Sequence, residues 1–121
     1  MLSENDVARI AGSIARQFAP VAVGVFGSYA MGTAGERSDL DLFLICRGGV
    51  LPNSLRRSVK RVLHSVLHRL DVQVFTAAEF EESAREALSF AWVIVRQERL
   101  YHWTDEAKAL VPSLFGHGGR P

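Results

Sequence analysis

The chain has 121 residues, 48% hydrophobic and 22% charged, a balance typical of one globular domain. Its formal net charge of +1 argues against a protein that binds nucleic acid through bulk positive charge. One cysteine, Cys46, excludes an intramolecular disulfide, and no apolar run reaches the ~18 residues of a membrane-spanning helix. With no visible signal peptide, we expect a cytoplasmic protein without a membrane anchor.

The first part of the chain predicts a helix, a strand, a glycine-bearing segment and a second strand. Apolar residues at helical spacing predict a helix over residues 4–18, which Pro20 ends. The valine-rich run at 21–26 predicts a buried strand. Segment 27–38 predicts a short helix followed by a loop, and "LDLFLIC" at 40–46 predicts the second strand.

The central part predicts a helix, a third strand and another helix. Apolar residues repeat at helical spacing over residues 54–70. The alternating run "DVQVF" at 71–75 predicts a strand. Thr76 and Glu79 match a capping box for a helix that reaches about Leu88.

The C-terminal part predicts a short helix capped by Ser89, a small edge strand "RLYHW" at 99–103 and a last helix at 105–114. We expect one domain over residues 1–115 and a flexible tail over 116–121. The order of elements indicates an α/β (α+β) domain with a small mixed sheet covered by helices.

Two acids, Asp39 and Asp41, stand where the second strand begins. Because strand side chains alternate between faces, both point the same way, with Cα atoms roughly 6.7 Å apart. Carboxylates at this spacing can ligate a pair of metal ions ~3.5–4 Å apart. Asp71 joins them if its strand pairs with the second strand. The pattern predicts a three-carboxylate magnesium site at one end of the sheet.

The pair Gly27 and Ser28 supplies a complementary feature. It opens a turn after a strand, where backbone N–H groups and a hydroxyl suit phosphate. Each piece alone has an ordinary explanation, since a D-x-D is commonly a solvated strand end and a Gly-Ser is commonly a turn. The ordered combination is specific and indicates a magnesium-bound triphosphate between the loop and the acids.

The segment "GSYAMGTAGERSDLDL" and the later "LDVQVF" resemble the nucleotidyltransferase superfamily that includes DNA polymerase beta, and most of all its minimal nucleotidyltransferases. The resemblance implies a nucleotidyltransferase fold and two Mg²⁺ ions. It also implies that the third acid helps to deprotonate the attacking hydroxyl. The implied catalytic and metal-binding residues are Asp39, Asp41 and Asp71, and the implied nucleotide-binding residues are Gly27, Ser28 and Ser38. One departure is Met31, where many minimal members carry a basic residue.

The same resemblance implies transfer of a nucleoside monophosphate, here AMP from ATP, to an acceptor hydroxyl. Little chain follows Phe75 to hold an acceptor, so we expect a second chain to supply it. The implied partner is a HEPN-type toxin modified on a tyrosine, with this chain as antitoxin. The apolar stretch "FAWVIV" is a candidate docking face.

Two alternatives remain at this stage. One is a non-catalytic antitoxin that acts by occlusion, and the other is a small protein that binds nucleotide without turnover. Basic residues on the helix at 54–70 are interpreted as a solvated face and not as a nucleic-acid surface. A homo-oligomer is left open.

Overall fold

In the computed structural model, which describes residues 1–64 and 69–116, helices cover both faces of a four-stranded sheet. The strands are β1 (Ala22–Phe26), β2 (Leu40–Cys46), β3 (Leu70–Thr76) and β4 (Arg99–Trp103). The helices are α1 (Glu4–Phe18), α2 (Gly27–Met31), α3 (Pro52–His64), α4 (Ala77–Ala84), α5 (Phe90–Gln97), α6 (Asp105–Leu110) and α7 (Pro112–Phe115). Among these elements, no helix is both long and apolar enough to cross a membrane.

The strand order in the sheet is β3-β2-β1-β4. Strands β2 and β3 are parallel, whereas β1 is antiparallel to both β2 and β4. The sheet is therefore mixed, which confirms the predicted fold class. The parallel pair fulfils the condition set from the sequence, because Asp41 is the register partner of Asp71.

Alternation along β2 sends its side chains into two separate apolar layers. Leu42 packs in one layer with Ile14 of α1 and Val59 of α3. Phe43 packs in the other layer with Phe80 of α4, the two ring centroids lying 6.4 Å apart. Because β2 is covered on both faces, it reads as an apolar run broken only at its start.

The predicted first helix is confirmed over Glu4–Phe18, and its start is fixed by a capping box between Ser3 and Asp6. The helix predicted at 54–70 is observed as Pro52–His64, and residues 65–68 lie outside the described residues. Its predicted end at Leu70 is wrong, because Leu70 pairs with Leu40 in the sheet.

The helix predicted to reach Leu88 ends at Ala84. The chain reverses after it, where the Ser89 hydroxyl donates to the Ser83 carbonyl at 2.6 Å and also accepts from the Trp92 N–H. Ser89 thus caps α5 as predicted, but at the end of a longer turn than expected.

The single last helix predicted at 105–114 is also wrong. It breaks at Val111 into α6 and α7. Pro112 causes the break, because proline disfavours helical backbone at the residue before it and offers no N–H. Of the predicted flexible tail, residues 117–121 lie outside the described residues.

Candidate functional site

Strand β1 ends, and strands β2 and β3 begin, side by side at one end of the sheet. Phe26 is the register partner of Asp41, which in turn is the partner of Asp71. Cross-strand partners share a face, so these three side chains form one row. Asp39 lies two residues before Asp41 and is exposed, whereas Asp41 and Asp71 are partly buried. The three acids predicted from the sequence thus lie at the same end of the sheet.

The carboxylates influence one another. Burial, followed by the negative charges of Asp71 and Asp39, raises the pKa of Asp41 from 3.8 to about 6. An ionised carboxylate is disfavoured both by a low dielectric and by like charges. A cation bound beside Asp41 would remove both penalties.

Gly27 is required by its contact with Asp41. Its backbone has φ +70, a left-handed conformation, and a Cβ at this position would overlap the Oδ2 atom of Asp41. Its N–H donates to the Oε1 atom of Gln97, 3.1 Å away. The carboxylate therefore fills space that only glycine leaves open.

The two predicted serines differ in their surroundings. Ser28 lies in the first turn of α2, and its hydroxyl makes no hydrogen bond with residues 1–64 or 69–116. The Ser38 hydroxyl accepts from the Gly35 N–H at 2.8 Å, and the Ser38 N–H donates to the Gly35 carbonyl at 3.1 Å. Ser38 therefore closes the loop before Asp39, and its role toward a nucleotide stays a prediction. Met31, at the end of α2, is 57% exposed.

Two glutamines that were not predicted from the sequence contact this end of the sheet. The Nε2 atom of Gln73 lies 3.3 and 3.4 Å from the carboxylate oxygens of Asp71. Alternation along β3 could have revealed it, since residues i and i+2 share a face. Gln97 reaches Gly27 from 70 residues away, and no local pattern signals that contact.

The three acids have the donor chemistry of ligands for a divalent cation. Carboxylates are the hard oxygen ligands that Mg²⁺ prefers, and the raised pKa of Asp41 marks uncompensated negative charge. Within the two described ranges, however, no group of three or more His, Cys, Asp or Glu side chains is gathered closely enough to hold a metal ion. The residues fit the cation by donor type and charge, and their metal-binding role stays a prediction.

A family model of the nucleotidyltransferase domain matches residues 7–102, which include all six predicted site residues. The chain belongs to this nucleotidyltransferase family. The resemblance noted from the sequence is thereby confirmed. Nucleotidyltransferases of this family generally use a nucleoside triphosphate and a divalent metal ion, and family membership supports transferase activity. No curated protein sequence matches the chain.

Solved structures share the nucleotidyltransferase fold. A chain of a toxin–antitoxin complex with AMP-PNP aligns with a TM-score of 0.59 and 19% identity, covering 90% of this chain and 84% of that one. A putative nucleotidyltransferase from Sulfolobus solfataricus aligns with a TM-score of 0.51 and 22% identity, covering 82% and 78%. A chain from the tri-AMPylated Shewanella oneidensis HEPN toxin in complex with MNT antitoxin aligns with a TM-score of 0.54 and 16% identity, covering 93% and 81%.

Proposed function

We propose that this chain is a magnesium-dependent nucleotidyltransferase that moves AMP from ATP to a hydroxyl of a partner protein. The observation that carries the proposal is the row of Asp41 and Asp71 on paired strands, with Gly27 packed against Asp41. Because this row lies in a nucleotidyltransferase domain, we assign its two acids to the transfer reaction.

We further propose that the chain acts as the antitoxin of a HEPN-type toxin in the cytoplasm, with a toxin tyrosine as acceptor. Support comes from proteins that share the fold. One was crystallised in a toxin–antitoxin complex with AMP-PNP, and another belongs to a complex of MNT antitoxin with a tri-AMPylated HEPN toxin. A bulky, charged AMP group on the acceptor tyrosine would block the function of that side chain.

In this mechanism Asp39, Asp41 and Asp71 would hold two Mg²⁺ ions, which would supply positive charge near the α-phosphate and the leaving pyrophosphate. Asp71 accepts the proton of the acceptor hydroxyl, whose oxygen forms a bond to the α-phosphorus. The bond between the α-phosphorus and the bridging oxygen breaks, and pyrophosphate leaves. The Gln73 amide, in contact with both Asp71 oxygens, orients that carboxylate.

The phosphate contacts are assigned to the start of α2. The Gly27 N–H already donates to Gln97. We therefore assign to Gly27 the role of leaving room at the site, and not that of a hydrogen-bond donor to phosphate. The Ser28 hydroxyl is uncommitted within the described residues and can donate to a phosphate oxygen. Ser38 fixes the loop that carries Asp39 and is proposed to border the nucleotide.

A second candidate function is occlusion without catalysis, in which the chain covers the toxin and leaves it unmodified. One observation favours it: the acids are not gathered at metal-binding distance within residues 1–64 and 69–116. The proposal and this alternative differ in whether the partner gains mass.

The deciding experiment mixes the purified chain with the proposed HEPN-type partner, in the presence of Mg-ATP. Intact-mass spectrometry should show a gain of one or more AMP groups on the partner. The doubly substituted Asp39→Asn/Asp41→Asn protein is the control and should leave the partner unmodified. Silencing of the partner with no added mass would establish occlusion in place of transfer.

A further inference from the structure

Two large apolar side chains protrude from the turn between α4 and α5, residues 85–90, which we call the α4–α5 corner. Leu88 is 80% exposed and Phe90 is 54% exposed. Leu88 also has φ +71, a left-handed conformation that is strained for a bulky residue. Strained backbone persists where the surrounding structure enforces it, and such residues cluster at functional positions. An apolar side chain held outward in this way is a candidate contact point.

The corner lies beside the candidate site, on the same face of the sheet. The Phe90 ring packs edge-on against Phe26, with centroids 6.3 Å apart and planes at 69°. Phe26 is the register partner of Asp41 and immediately precedes Gly27. A protein bound at the corner would therefore extend over the carboxylate row.

An acidic groove continues from the corner along the outer strand of the sheet. It encloses about 430 Å³ between β3 and α4. Its lining includes Glu79, Glu82 and Glu86, the last of which is two residues before Leu88. Arg85, which directly precedes Glu86 in the sequence, is exposed and positively charged. The acids outnumber the cation, so the groove attracts a basic surface and repels phosphate backbones.

We propose that the α4–α5 corner and the acidic groove together form the docking surface for the protein that presents the acceptor hydroxyl. The occupant is a protein with an apolar hollow for Leu88 and Phe90, rimmed by Lys or Arg side chains that face the groove. A protruding apolar pair suits a protein hollow better than a small molecule, which binds in a concave pocket. Buried apolar anchors provide most of the affinity of such interfaces, and charge complementarity adds rate and orientation.

This inference rests on the proposed function, and it adds the location and chemistry of the partner interface. The docking face predicted from the sequence is the stretch "FAWVIV". In the structure Ala91, Ile94 and Val95 of that segment are buried, and Phe90 is its exposed part. The docking surface therefore moves from the helix α5 to the corner before it.

The test measures, by biolayer interferometry, the affinity of the chain for the HEPN-type partner of the proposed function. Leu88→Gly removes the protruding side chain and also relieves the left-handed strain, so its Tm should not fall. Glu82→Lys/Glu86→Lys reverses the charge of the groove. Leu51→Ala is the matched control, because Leu51 is 70% exposed and lies outside the corner.

We expect Leu88→Gly and Glu82→Lys/Glu86→Lys each to raise the Kd by about tenfold or more, and the control to leave it unchanged. Wild-type affinity should also fall as salt increases, and this dependence should weaken in the charge-reversed variant. Unchanged affinity in both variants, or no binding by the wild-type chain, would overturn the docking proposal. Tight binding of a single-stranded RNA oligonucleotide at the groove would also overturn it.

Mass spectrometry run on the same mixtures separates this proposal from the enzymatic one. Corner-dependent binding without any added mass would support the docking surface and remove the transfer reaction. Mass gain with the wild-type chain, together with unchanged affinity of Leu88→Gly and of Glu82→Lys/Glu86→Lys, would support the transfer reaction and refute the docking surface.

Discussion

The Asp41 carboxylate packs so closely against Gly27 that no residue with a side chain fits at position 27. The Cβ of any other residue would overlap the Oδ2 atom of Asp41, and the glycine also has φ +70. The same Asp41 has its pKa raised to about 6. A backbone conformation that suits glycine, a close steric contact and mutually repelling charges thus coincide at one end of the sheet.

Gly27→Ala should destabilise the protein and displace the Asp41 carboxylate. The matched control is Gly32→Ala, because Gly32 has a similar φ of +76 but an added Cβ there meets nothing within 4 Å. Left-handed backbone costs each variant about 1–2 kcal/mol, and only Gly27→Ala adds the collision. Thermal unfolding should therefore give a clearly lower Tm for Gly27→Ala. Equal Tm values would contradict the close contact.

A double-mutant cycle isolates that contact. In an Asp41→Gly background the additional cost of Gly27→Ala over Gly32→Ala should vanish, because the colliding oxygen is gone. An additional cost that persists in this background would show that the destabilisation does not come from the contact with Asp41.

The stability of the metal-free protein should depend on pH through Asp41. Its pKa in the folded protein, about 6, lies above the usual 3.8, so the folded state holds the proton more tightly. This contribution is full below pH 3.8 and is lost as pH rises through 6. The ceiling is ~3 kcal/mol, and because the carboxylate is only half-buried we expect about 1 kcal/mol.

The measurement is urea unfolding of wild type and Asp41→Asn between pH 4 and 7. Asparagine carries no charge, so the variant should gain on wild type as pH rises and be the more stable protein at pH 7. A difference between the two proteins that stays constant across this range would refute the raised pKa.

Gln97→Leu should loosen the start of α2 at Gly27. The hydrogen bond from the Gly27 N–H to Gln97 is lost, which costs about 0.5–1.5 kcal/mol. Hydrogen exchange at the Gly27 amide should accelerate. Gln17→Leu, on the exposed side of α1, is the control and should leave that amide unchanged. Unaltered exchange in Gln97→Leu would show that the start of α2 does not depend on this bond.

The parts of the fold that were predictable from the sequence are those encoded locally. Strand β2 is indicated by the apolar run that follows Asp41, and α1 is indicated by the Ser3–Asp6 capping box. The break of the last helix was also encoded, since Pro112 restricts Val111, and the sequence analysis overlooked it.

Other features depend on tertiary contacts and had no local signal. The partnership of Asp41 with Asp71 required the parallel pairing of β2 and β3, which the sequence analysis could state only as a condition. The contact between Gly27 and Gln97 joins α2 to α5 across 70 residues of sequence. These features define most of the geometry of the candidate site.

Ser28→Ala should weaken binding of Mg-ATP without affecting the fold. Loss of a neutral hydrogen bond costs about 0.5–1.5 kcal/mol, and of one to a charged phosphate up to about 3 kcal/mol. Isothermal titration calorimetry measures the change in Kd. Ser58→Ala is the control, because the Ser58 hydroxyl donates to the Ser54 carbonyl within α3. An unchanged Kd for Ser28→Ala would remove this residue from the nucleotide site.

Replacement of Asp39, Asp41 or Asp71 by asparagine should abolish most AMP transfer while the protein stays folded. Each change removes a charged oxygen ligand, and loss of such electrostatic stabilisation commonly costs about 10²–10³-fold in rate. Asp105→Asn, at the exposed start of α6, is the matched control and should transfer normally. The measurement is the initial rate of mass gain on the HEPN-type partner, with circular dichroism as the check on folding. Full activity of Asp41→Asn would refute the metal assignment, and a partner silenced equally well by Asp39→Asn and wild type would favour occlusion.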